Sequence, residues 1–216
     1  MARFRSLTIA AALLSLTVSA APVFAQSAQP SSTWSQEDTV RIIRDVQKKI
    51  GGLTDYAVFD WITFGIHGKT LILNGYASRP MLKDEAARAV KSIPGIANVE
   101  NNIEVLPNSP NDDRVRAAVY NRIYTSPALR KYNANAGSLG RGLSVARMAG
   151  GITVDPPIGY HAIHIIVKNG NVILYGVVLN QSDAAIAGMQ ANSAPGAFSI
   201  RNELVVEGAQ PKGAAK

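Results

Sequence analysis

Residues 72–105, ILNGYASRPMLKDEAARAVKSIPGIANVENNIEV, and residues 173–206, ILYGVVLNQSDAAIAGMQANSAPGAFSIRNELVV, align without a gap. Ile72-Leu73 meets Ile173-Leu174, Gly75 meets Gly176 and Ala86 meets Ala187. Ser92-x-Pro94-Gly95 meets Ser193-x-Pro195-Gly196, Asn101 meets Asn202 and Val105 meets Val206. A chain that repeats itself in this way builds one unit twice, so two small modules are expected rather than one continuous sheet. The short, proline-bearing stretch Leu106-Pro107-Asn108-Ser109-Pro110 is the expected boundary between them.

Each copy opens with helix signals. Ser35-x-x-Asp38 reads as an N-terminal cap with Trp34 before it, and Val40, Ile43, Val46 and Ile50 recur at helical spacing up to Gly51-Gly52. In the second copy Ser109 caps, Pro110 takes the first helical position, and Val115, Ala118, Val119 and Ile123 form the stripe. Strands follow. Val58, Ile62, Phe64 and Ile66 alternate before a turn at His67–Thr70, and Leu71-Ile72-Leu73 returns. The second copy has Ile163, Ile165 and Val167, then Lys168-Asn169-Gly170-Asn171, then Val172-Ile173-Leu174. Asn-Gly between apolar runs marks a tight hairpin, because both residues tolerate positive φ.

Gly75 and Gly176 close the returning strands, where they are expected to leave room for the next helix. That helix runs from about Pro80 to Ile93, and from about Gln181 to Ser193 in the copy; Pro94-Gly95 and Pro195-Gly196 stop it. A last strand alternates through Ala97, Val99, Ile103 and Val105, and through Phe198, Ile200, Leu204 and Val206. The fold class is therefore α+β: two tandem αββαβ units, each a three-stranded mixed sheet with two helices on one face. The crossover to the last strand should be right-handed. On the opposite sheet face, Phe59, Trp61 and Tyr76 in one copy and His164, Ile166 and Tyr175 in the other are too apolar to stay wet. Part of that face is expected to meet the other unit.

Residues 1–25 read as a cleaved signal peptide: Arg3 and Arg5, an apolar run from Leu7 to Ala21, and short residues at Val23 and Ala25 that suit cleavage before Gln26. This places the protein in the periplasm. The chain has no cysteine, so disulfides, thiol chemistry and lipid attachment at a cysteine are excluded. The formal net charge of +7 is unevenly spread. From Gln26 to Pro107 nine Lys/Arg balance nine Asp/Glu, whereas from Asn108 onward eleven basic residues face six acidic ones. Arg114 to Val154 holds Arg114, Arg116, Arg122, Arg130, Lys131, Arg141 and Arg147 and no acid. Such a field attracts anions.

The run Leu71-x-Leu73-x-Gly75, a helix, then Pro94-Gly95-Ile96-x-x-Val99-x-Asn101-x-Ile103-x-Val105 resembles the BON domain family of bacterial envelope proteins. The second copy matches through Val172-x-Leu174-x-Gly176 and Pro195-Gly196 to Ile200-x-Asn202-x-Leu204-x-Val206, and departs at Ala197 and Phe198. Tandem copies behind a signal peptide resemble the family's periplasmic osmotic-stress proteins. The resemblance implies binding to phospholipid surfaces or envelope proteins, not catalysis. On this reading domain 1 is 35–107, domain 2 is 108–208, and 209–216 is a tail.

The copies differ in one length. Val40 to Ile72 spans 32 positions and Val115 to Ile173 spans 58, so about 26 residues are inserted, at about 130–159. The insertion is glycine-rich and interleaves Arg130, Lys131, Arg141 and Arg147 with Tyr132, Leu139, Leu143, Val145 and Met148. Basic and apolar side chains together suit an anionic phospholipid surface. Arg130, Lys131, Tyr132, Arg141 and Arg147 are the candidate lipid- or anion-binding residues. Gly75, Gly176, Pro94, Gly95, Pro195 and Gly196 are structural. No catalytic residue, metal or cofactor is expected. Gly137–Ser144 lacks the Gly-Lys-Ser/Thr of a phosphate loop, and His161-x-x-His164 on a strand points to two faces. Export removes nucleic acid as a partner. The expected function is peripheral attachment to anionic phospholipid, supporting envelope integrity under stress. The alternatives are docking of an outer-membrane or secretion component through a sheet edge or the aromatic face, or a holdase-like role for exported proteins.

Overall fold

The computed structural model describes residues 34–133, 152–153, 156–157 and 160–208. Helix α1 (Gln36–Gly51) is followed by strands β1 (Trp61–His67) and β2 (Thr70–Ala77), helix α2 (Pro80–Lys91) and β3 (Asn98–Val105). The second module repeats the order: α3 (Pro110–Tyr124), β4 (Ile163–Lys168), β5 (Asn171–Val178), α4 (Gln181–Asn192) and β6 (Ser199–Val206), with a 3-10 turn at Arg130–Tyr132 after α3. Each module has its own three-stranded sheet. β1 and β2 pair antiparallel, β2 and β3 parallel; β4, β5 and β6 do the same. This is the mixed α+β architecture the repeat implies.

The helix ends follow from their caps. The Ser35 hydroxyl accepts from Asp38 N–H, Ser109 from Asp112 N–H, and the Asn180 side chain from Asp183 N–H, each satisfying an amide the helix leaves open. Asp112 does more. Its carboxylate accepts from the backbone N–H of Asn169 and Gly170, both at 2.8 Å, tying the start of α3 to the β4–β5 turn. In that turn Asn169 has φ 52° and Gly170 φ 76°, as an Asn-Gly hairpin requires.

In α1 the buried side is Ile42, Val46 and Ile50; Val40, expected inward, is 53% exposed. Ile42 lies one turn before Val46 and takes the place expected of Val40. The first module's core joins these to Ile62, Leu71, Leu73, Leu82, Ala86, Val90 and Ile103. The second module's core gathers Val115, Val119, Ile123, Ile163, Ile165, Leu174 and Ala187, with Leu129 just before the insertion and Ile152 within it.

Gly75 and Gly176 have φ of +115° and +130°. A Cβ on Gly75 would stand 2.0 Å from the carbonyl oxygen of Trp61, and one on Gly176 would stand 1.9 Å from that of Ala162. The adjoining strand, not the following helix, therefore excludes a side chain here, which corrects the reason expected from the sequence.

The aromatic faces of the two sheets meet. Trp61 stacks on Tyr175 with centroids 5.4 Å apart and planes within 2°, and His164 lies 5.1 Å from Trp61 and 5.4 Å from Tyr56. Tyr76 follows at 6.4 Å from Tyr175. Lys168 forms an ion pair with Glu104 across the junction. Val58 and Phe59 do not extend β1; they enter the second module's core, Phe59 reaching Tyr120 at 6.4 Å. The cause is Asp60. Its buried carboxylate accepts from Ala57 N–H at 2.9 Å and Ser78 N–H at 2.6 Å, breaking the strand alternation before Trp61. Ile165 N–H then donates to Val58 O at 2.8 Å, so the first module covers the outer edge of β4.

Candidate functional site

The insertion leaves and rejoins the second module at one end of its sheet. Asn133 and His161 form an antiparallel bridge, and Ala162 N–H donates to Tyr132 O at 2.9 Å. Between these roots, Tyr132 is turned inward and only 7% exposed. Its hydroxyl donates to Asp183 Oδ2 at 2.5 Å and accepts from Leu179 N–H at 2.9 Å. Burial, with the Asp183 carboxylate beside it, pushes the Tyr132 phenol up. Tyr132 thus anchors the insertion and is not on the lipid-facing surface where the sequence placed it; its hydroxyl found a carboxylate within the module.

Lys131 also uses Asp183. Its Nζ lies 2.8 Å from Oδ2. The hydrogen bond from Lys131, then that from Tyr132, hold the Asp183 carboxyl below its usual range, and Asp183 in turn raises Lys131. Asn180 Nδ2 donates to the same oxygen at 2.9 Å. Arg130 is exposed. Arg141 and Arg147 lie outside the described residues.

Arg116 is not part of the surface field. It is 1% exposed, pairs with Asp113 Oδ1 at 2.6 Å, donates to Val167 O at 2.8 Å and to Thr153 Oγ1 at 3.2 Å. The Thr153 hydroxyl donates to Asp113 as well. An acid-free run in the sequence therefore still contains a neutralised arginine, because Asp113 stands just outside it. Arg114 and Arg122 on α3 remain exposed.

Apolar side chains crowd the same sheet end. Val177 is 51%, Leu179 57% and Val205 53% exposed. Val177 and Leu179 alternate with buried Val178, so they share the face opposite the helices, and Val177 pairs with Val205 across the strands. Leu179 is fixed beside the root of the insertion by the bond from its N–H to Tyr132. Tyr160, one residue before the bridge, is 70% exposed. Extending the sequence alternation four residues past Tyr175 would have found Val177 and Leu179.

His161 and His164 separate to different surroundings. His161 contacts the Tyr120 hydroxyl at 3.2 Å and the Tyr124 ring, whereas His164 sits in the junction between modules. Burial pushes His164 down to about 4, against hydrogen bonding to the backbone of Asp60 and Ala57. Among the described residues no three His, Asp or Glu side chains are grouped to hold a metal ion, and no helix is long and apolar enough to cross a membrane.

The fold is one αββαβ module written twice. The family model of the BON domain matches residues 65–107 and 150–208, one segment in each module, consistent with a tandem BON-domain protein. Both matches take in the β2-α2-β3 half of the repeat or its copy. BON domains bind membranes and phospholipid in general and are as a rule not enzymes, and proteins that carry them are typically periplasmic or membrane-associated. No curated protein matches the chain. Among solved structures, CdsD, a structural protein of the type III secretion system of Chlamydia trachomatis, is 13% identical, with 77% of this chain and 92% of that chain covered and a TM-score of 0.25. The C-terminal domain of the same protein is 14% identical, with 77% and 98% covered and a TM-score of 0.25. Similarity at that score carries no inference about function.

Proposed function

We propose that this protein is exported to the periplasm by cleavage after residue 25 and attaches peripherally to anionic phospholipid through its second module, supporting envelope integrity under stress. The observation that carries the reading is the convergence of two features at one sheet end. The insertion that brings Arg130, Arg141 and Arg147 departs there, beside exposed Val177, Leu179 and Val205. Basic residues near an anionic surface contribute about 1 kcal/mol each, and apolar side chains add insertion energy. Lys131 contributes less, since Asp183 already balances it. Attachment by three arginines is weak, reversible and salt-sensitive.

Flotation with phosphatidylglycerol-containing vesicles tests this. The wild-type chain is expected to float at low salt and to stay behind at high salt or on purely zwitterionic vesicles. Changing Arg130, Arg141 and Arg147 together to Ala should weaken binding about 100-fold. Unchanged flotation of that triple variant would end the lipid reading. Docking through the aromatic face is disfavoured, because Trp61, His164 and Tyr175 are packed between the modules.

A further inference from the structure

Strand β6 pairs in parallel with β5 on one side and, among the described residues, with no strand on the other. Arg201, Asn202 and Glu203 at its centre are exposed. Arg201 and Glu203 point to the same face and lie 3.2 Å apart along the strand, while Asn202 turns to α4, its Nδ2 donating to Ala184 O at 2.8 Å. An open edge with this order of charges is self-complementary. Consider a second copy laid antiparallel against it about a two-fold axis through Asn202. Arg201 then stands opposite Glu203 of the second copy, and Glu203 opposite its Arg201. On the other face Ile200 meets Leu204, and Phe198, 78% exposed, meets Val206. Sliding by one pair in either direction fails. With the axis on Arg201 the two arginines collide; with the axis on Glu203 the two carboxylates do. Same-face pairing forbids the intermediate registers. One register is therefore favoured by charge and its neighbours are penalised. The corresponding strand of the first module differs: β3 carries Glu100 and Glu104 and no base, so no register there sets an acid against a base.

We propose that β6 is a self-association edge, through which two copies of this chain join antiparallel into one six-stranded sheet ordered β4-β5-β6-β6-β5-β4. This stands on the strand edge alone and is independent of lipid attachment. Sedimentation equilibrium of the purified protein over a micromolar concentration series tests it. The wild-type chain is expected to form a dimer. Arg201→Glu places two acids opposite two acids, and Glu203→Arg two bases opposite two bases, so each alone should weaken dimerisation about tenfold or more. Mixed one to one, the two variants should form a heterodimer, and the double exchange R201E/E203R should restore the homodimer. Both positions are exposed, and unchanged circular dichroism would confirm that the variants fold. A wild-type chain that stays monomeric, single variants that dimerise like wild type, or a mixture that does not associate would each overturn the proposal.

Discussion

Replacing Phe59 with Ala tests whether the two modules share a core. Phe59 precedes a first-module strand, yet it is fully buried among second-module residues, with its ring 6.4 Å from that of Tyr120. Truncating a buried Phe costs about 3–5 kcal/mol, from lost transfer energy and the cavity left behind. For a folded chain of this size, each kcal/mol shifts Tm by about 2–4 °C, so Phe59→Ala should lower Tm by about 10 °C. Phe59→Leu, which keeps most of the volume, should cost about 1 kcal/mol. Where the loss appears is the sharper readout. Hydrogen exchange should show loosened amides in β4 and β5 and in α3, while β2 and β3 keep most of their protection. If exchange instead rises in β1–β3 alone, or if the Ala variant loses under 1 kcal/mol, Phe59 belongs to the first module and the reasoning fails.

Three further outcomes follow from particular contacts. Ala at Gly176 or Gly75 forces a Cβ onto a neighbouring carbonyl oxygen at positive φ, so each variant should lose about 2 kcal/mol or more in urea denaturation. His164 is held neutral by burial, with a folded value of about 4 against an ordinary 6.5. The groups facing it are Tyr56 and Trp61 from the first module, the Asp60 backbone, and His161 on its own segment. The unfolded chain takes up the proton first. Stability is therefore full above pH 6.5 and falls by about 3 kcal/mol as the pH drops from there toward 4. Urea midpoints at pH 7.5 and 4.5 should show that slope, and His164→Phe should remove most of it. Arg116→Ala leaves the largely buried Asp113 without its guanidinium and should cost about 3 kcal/mol, a loss visible in the same assay.

Much of the fold was legible because the signals are local and written twice. The caps at Ser35 and Ser109, the Asn169-Gly170 turn and the helix stops at Pro94-Gly95 and Pro195-Gly196 each act within a few residues. The meeting of the aromatic faces was legible too, since rings such as Trp61 and Tyr175 alternate on a face with nothing else to cover them. What was hidden depends on partners distant in sequence. Nothing near Tyr132 announces Asp183, 51 positions away, so the tyrosine reads as exposed when it is an anchor. Val58 and Phe59 continue the β1 alternation on paper; only Asp60, drawing amides from Ala57 and Ser78, redirects them into the other module. Arg116 could have been discounted from its spacing to Asp113, three residues earlier on one helix.

Hydrogen exchange of the whole chain with and without phosphatidylglycerol vesicles measures the central proposal most directly. New protection is expected in the second module alone, over residues 130–160 and at Val177–Leu179 and Val205, and it should disappear at high salt. A footprint on α1 or α2 of the first module, or none at all on vesicles that float the protein, would contradict it.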